Sequence, residues 1–172
     1  VPASLAGITL DNGDVLIKFV ETAVETDGAR HVQEARYQPH SQPPPYHCHP
    51  HQDEHFQIVE GALRFHVDGV DHLVHAGDEI HVAKRQFHYA HNPNDEAALV
   101  IWETRPALRT AEFFHLMNLA GPKGARPPLD EAAAILREYR DVFRLAKPPV
   151  LIQKIVFGCL APFGRRALRR NV

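Results

Sequence analysis

Two histidines separated by one residue, His47 and His49, are followed by Glu54 and, further along the chain, by His88, and no other feature restricts the fold as much. On an extended strand, residues two apart project to the same face, so the imidazoles of His47 and His49 can both reach one ion. The spacing of the four residues is that of a metal site assembled from two neighbouring pairs of β-strands. Gly61 follows the first group, and Gly77, Ala83, Arg85 and Asn92 surround His88.

The flanking sequence agrees with such a site. From Ile8 to about Thr104 there are short β-rich runs separated by turn signals, and nothing keeps a helical period. Asn12-Gly13 lies between Ile8-Thr9-Leu10 and Val15 to Phe19, and Asp68-Gly69 lies between Leu63 to Val67 and the run that begins at Val70. Both are hairpin signals, because glycine accepts positive φ. Asp27-Gly28 opens a further strand, His31 to His40, and Pro43-Pro44-Pro45 stiffens the approach to the histidines. Many short strands joined by hairpins predict an all-β sandwich or barrel.

These residues resemble the two motifs of the cupin family. His47, His49, Glu54 and Gly61 match the first motif, with Ser41 in place of its leading glycine; Gly77, His88 and Asn92 match the second, with Ala83 and Arg85 in place of the proline and glycine of its turn. At a positive φ, Arg85 would cost roughly 1–2 kcal/mol relative to glycine. The chain is similar over nearly its whole length to bacterial single-domain cupins of unassigned function, including the Pro-Pro approach and the run from His49 to Glu54. The resemblance implies a double-stranded β-helix (a jelly-roll barrel) with C-terminal α-helices, and one divalent transition metal held by His47, His49, Glu54 and His88. His51, or His55 beside Glu54, could replace a ligand if the chain were irregular at Pro50. Regular alternation would turn His55 and Cys48 away, and His66, His72, His75, His81 and His91 are expected to lie outside direct ligation.

After Pro106 the texture changes, so residues 1–106 are expected to form the barrel and 107–172 a helical extension packed on it or on a dimer mate. Glu112 to Ala120 places Phe113, Leu116, Met117 and Ala120 on one helical face before Gly121. Pro122 to Pro128 reads as a linker. A second helix from about Asp130 carries a stripe of Ala132, Ile135, Leu136, Tyr139, Val142, Phe143 and Ala146, ending at Lys147-Pro148. That stripe and the apolar tail predict a homodimer. The last segment, Val150 to Phe157 followed by Arg165, Arg166, Arg169 and Arg170, is expected to dock as a helix; an interfacial membrane helix is the alternative.

Charge and cysteine content narrow the function classes. With Lys+Arg 19 against Asp+Glu 21, no global field favours nucleic acid. Two cysteines, Cys48 and Cys159, are too few for a disulfide scaffold and suit a reducing, cytoplasmic setting. Val1 to Leu5 shows no basic segment leading into an apolar run, so no signal peptide is visible there.

Three imidazoles and a carboxylate form a mixed nitrogen and oxygen donor set, suited to Fe(II), which is favoured here, or to Mn, Co, Ni or Zn. Four protein ligands leave an octahedral ion about two open positions, enough for a small-molecule substrate and dioxygen. By parity Phe56 and Ile58 follow Glu54 inward and Ala90 follows His88, giving either an apolar substrate pocket or ordinary core. The expected function is a non-haem, dioxygenase-type enzyme acting on an apolar carbonyl, enol or phenol, with Glu54 as ligand or base. The alternatives are a redox-neutral isomerase or lyase on the same scaffold, and a non-enzymatic binding or sensing protein.

Overall fold

The computed structural model describes residues 4–121 and 127–169. Ten strands come first: β1 (Thr9–Asp11), β2 (Val15–Glu21), β3 (His31–Tyr37), β4 (His47–Cys48), β5 (Asp53–Glu60), β6 (Ala62–Val67), β7 (Val70–His75), β8 (Glu79–Val82), β9 (His88–His91) and β10 (Ala98–Arg105). The predicted turns hold. Asp68 and Gly69 both take positive φ between paired Val67 and Val70, as a tight hairpin requires. Gly61 is obligatory for a second reason, since a Cβ there would lie 2.7 Å from the Ala97 carbonyl oxygen.

The strands form two antiparallel sheets with the orders β1-β2-β3-β10-β5-β8 and, including a late strand β11 (Arg144–Leu145), β11-β4-β9-β6-β7. Their inner faces share a core in which the Phe56 and Phe65 rings, one from each sheet, meet edge to face at 5.0 Å. Alternation along β5 buries Glu54, Phe56 and Ile58 and leaves their neighbours outside. The expected jelly-roll barrel is not closed: each sheet ends in free edges, and side-chain packing rather than a continuous ladder joins them. Physically, the edge strands β1, β8 and β11 have three, four and two residues, too short to carry hydrogen bonds around a corner from one sheet to the next.

The extension contains α1 (Thr110–Ala120), α2 (Leu129–Glu138) and α3 (Val150–Gly164). α2 begins after Pro128 with Asp130 and Glu131 in its first turn, where the helix dipole favours acidic groups. It stops eight residues before the expected end at Ala146. The Tyr139 amide closes on the Ile135 carbonyl, and the amides of Val142 and Phe143 both turn back to the Tyr139 carbonyl. Arg144 and Leu145 then pair with Cys48 and His47, so ladder hydrogen bonds on the β4 edge replace the helical ones. The stripe expected to face a dimer mate is covered within the chain: Ile135, Tyr139 and Val142 are buried against Phe113 and Leu116 of α1. Of the expected linker, residues 122–126 lie outside the described residues, as does Arg170.

Candidate metal centre

Each of the four sequence-predicted residues is placed by a different piece of chain. His47 lies on β4 and pairs directly with His88 on β9; His49 follows β4, and Glu54 opens the inward row of β5 in the opposite sheet. All four side chains are buried. Ligand nitrogens of His47, His49 and His88 lie within 4.8 Å of one another. The Glu54 carboxylate sits against two of them, with Oε2 2.8 Å from His88 Nε2 and Oε1 3.2 Å from His49 Nε2.

Backbone carbonyls set the chemistry of the three rings. His47 Nδ1 is 2.7 Å from the Pro45 carbonyl, His49 Nδ1 is 2.7 Å from that of Val142, and His88 Nδ1 is 3.1 Å from that of Gln86. A carbonyl only accepts, so each Nδ1 carries a hydrogen, and each ring in its neutral form offers the Nε2 lone pair to the common centre. Such outer partners orient a ligand histidine and raise its basicity. Glu54 is oriented likewise: the indole Nε1 of Trp102 donates to its Oε1 at 3.0 Å.

Electrostatics at the site follow from burial and close packing. Burial drives the His47 pKa well below the usual imidazole value, and the neighbouring His88 and His49 push it the same way. Burial also lowers His49, outweighing Glu54. At His88 burial pulls downward as well, but the adjacent carboxylate wins and the net direction is upward. For Glu54, burial would raise the pKa, yet the surrounding imidazoles bring it down to about 2. His49 Nε2 and Glu54 Oε2 make no well-formed hydrogen bond despite their short contacts. Leaving such buried atoms unpaired costs about 1–3 kcal/mol each, so an anionic carboxylate set among exposed lone pairs suits a divalent cation.

Residues from elsewhere complete the site. Phe143, expected on a helix, stacks on the His47 ring with centroids 4.2 Å apart, and Val142 supplies the carbonyl to His49. Trp102 points inward while Arg64 is exposed. Phe56, Ile58 and Ala90 are inward as expected and belong to the shared core. Beside Glu54 the inner face of the six-stranded sheet turns polar. Thr104 pairs with Glu54 on one side and with His31 on the other, and His31 Nε2 lies 2.9 Å from Gln33 Oε1. His31, Gln33 and Thr104 are almost fully buried, and Gln33 Nε2 and Thr104 Oγ1 have no hydrogen-bond partner. The alternation of His31, Gln33 and Ala35 along one run was the available signal for this polar patch.

The other candidates fall outside the centre. His51 is exposed, and His55 turns outward to stack on His81 and approach Glu79 at 3.0 Å. Cys48 is buried without joining the histidine group. Ser41 replaces the glycine of the first motif and has a use there, since its hydroxyl oxygen accepts the Asn92 backbone N–H at 2.9 Å.

Comparison with known proteins agrees with this architecture. Residues 33–103 match the family model Cupin_2, the cupin domain. Among solved structures, an RmlC-like cupin from Shewanella frigidimarina is similar, with TM-score 0.53 and 18% identity over 63% of this chain and 96% of that one. A conserved protein with a double-stranded β-helix domain from Klebsiella pneumoniae has TM-score 0.51 and 21% identity, covering 59% of this chain and 80% of that one. Oxalate decarboxylase from Lactobacillus farciminis, with TM-score 0.51 and 16% identity, is matched over 59% of this chain and 31% of its own. No curated protein matches the chain.

Proposed function

We propose that this chain is a mononuclear metal enzyme catalysing a redox-neutral isomerisation or lyase reaction on a small, oxygen-rich substrate. The observation that carries the proposal is the convergence of three imidazoles, each with Nδ1 tied to a backbone carbonyl, next to a buried carboxylate held by Trp102. His47, His49 and His88 would hold the ion and Glu54 would complete the set. A bound divalent metal would supply Lewis-acid polarisation of a substrate carbonyl or carboxylate.

The protein's own groups then divide the remaining work. Trp102 restrains Oε1 of Glu54, leaving Oε2 as the oxygen that would join the metal set or, released from it, hold a substrate proton. Thr104, in register with Glu54, and Gln33, in the adjacent row beside Trp102, offer unpaired polar atoms that suit hydroxyl or carboxylate oxygens better than an aromatic ring. Phe56 and Trp102, both buried, pack their rings 5.0 Å apart beside the Glu54 carboxylate. The polar lining supports redox-neutral chemistry on an oxygenated substrate above the oxygenase expected from the sequence. The Lactobacillus farciminis relative is a decarboxylase, but that likeness is one of fold alone.

The test is to incubate metal-loaded protein without oxygen in D2O with small hydroxy acids, keto acids and aldoses, following the mixtures by proton NMR. Deuterium exchange beside the carbonyl, or conversion to an isomer or a decarboxylated product, is expected. Turnover that requires dioxygen and consumes it would contradict the proposal, and saturable binding without conversion would make the chain a binding protein.

A further inference from the structure

Charge is unevenly distributed along the chain. Residues 142–172 hold seven of the 19 basic side chains and none of the 21 acidic ones, so in a chain of net charge -2 they carry a formal +7 and the remainder -9. This basic segment includes α3. Its amphipathicity is the reverse of that of a helix covering a core: the face turned to the protein holds Gln153, Ala161 and Gly164. Gln153 Nε2 donates to the carbonyls of Leu145 and Pro148, and Gly164 lies so close to α2 that a Cβ would meet the Asp130 carbonyl oxygen. Leu151, Ile155 and Phe163 are 70%, 61% and 75% exposed, and Ile152 and Val156 share that outer side. Lys154 and Arg165 are exposed among them, and neither forms an ion pair with a described carboxylate.

We propose that α3 is an interfacial docking face for an anionic lipid surface, on which the apolar side chains enter the headgroup boundary while the flanking basic groups meet lipid charge. The helix has 15 residues, about 22 Å at 1.5 Å per residue, which is shorter than the ~30 Å hydrocarbon core. No helix among the described residues is long and apolar enough to cross a membrane, so α3 lies along the surface. Charge selects lipid over a second copy of the chain. A twofold self-contact through this face would set the basic side chains of this acid-free segment, Lys154 and Arg165 among them, against their own copies, whereas an anionic leaflet complements them.

Full-length protein is floated with vesicles of phosphatidylcholine alone and of equimolar phosphatidylcholine and phosphatidylglycerol. Binding to the anionic vesicles is expected to exceed binding to the neutral ones at least tenfold and to weaken with salt. Leu151→Glu with Ile155→Glu should abolish it, and Lys154→Glu with Arg165→Glu should weaken it at least tenfold, while circular dichroism and metal content stay unchanged because all four side chains face outward. Equal binding to both vesicle types, no binding, or unaltered binding of the Leu151 and Ile155 variant would overturn the proposal. So would light scattering that finds a lipid-free dimer which that variant converts to monomer, since a second copy would then cover the face.

Discussion

At the scale of single residues, the site depends on side chains that are not themselves ligands as much as on the ligands. Trp102→Phe removes the donor to Glu54 Oε1 and keeps the ring packed on Phe56, so metal affinity is expected to fall about 10–100-fold with the melting temperature little changed, as read by calorimetric titration. The buried histidines also predict a pH dependence. Free imidazoles in the unfolded chain take up protons below about pH 6.5, whereas His47 and His49, with lowered folded values, resist them. The unfolded state therefore binds more protons there, and metal-free protein should lose stability as pH falls through about 6.5. Glu54, with its folded pKa lowered to about 2, stabilises fully above its usual range near 4.5 and loses that contribution as pH drops toward 2. His88 has the opposite sign: its raised pKa contributes below about 6.5 and fades as pH rises through the folded value. Denaturant melts of apo protein across this range, compared with a His47→Phe variant, would show the acid-side slope reduced in the variant. Identical slopes would mean that buried histidine protonation does not govern it.

At the scale of elements, strand parity made most of the site legible. Alternation from His47 and from Glu54 correctly turned His49, Phe56 and Ile58 inward and His55 outward, because a two-residue period leaves no other choice once one face is buried. Parity carries no information about which distant strand lies alongside, so the polar row through Thr104 and His31 and the approach of Trp102 to Glu54 were not legible. A helical stripe likewise misplaced Val142 and Phe143: apolar residues at helical spacing fit a helix until an open strand edge competes for the same backbone. Phe143→Ala tests that latch. Loss of a half-buried ring stacked on His47 should cost about 2 kcal/mol in the melt and weaken metal binding, while a variant with unchanged affinity would make the segment a passive cover. Arg85 has φ 70 in the turn before β9, so Arg85→Gly is expected to stabilise by roughly 1 kcal/mol. Its amide donates to the His49 carbonyl at 2.9 Å, which ties this strained turn to the ligand strand.

At the scale of the whole molecule, two open sheets enclose a centre to which both contribute, and the C-terminal extension closes it by adding a strand to one sheet and a carbonyl to one histidine. Metal binding should therefore couple to stability across the fold. Ligand at a hundredfold excess over its dissociation constant adds about 2.7 kcal/mol, which would appear as a rise in melting temperature that chelator reverses. The most direct test is a cobalt(II) titration of chelator-treated protein followed by visible absorption, performed on wild type, His49→Ala and His88→Ala. One equivalent per chain with a saturating spectrum is expected for wild type, and loss of that spectrum in both variants while their circular dichroism stays native. Full stoichiometry with the same spectrum in either variant would contradict a metal centre built on His47, His49, His88 and Glu54.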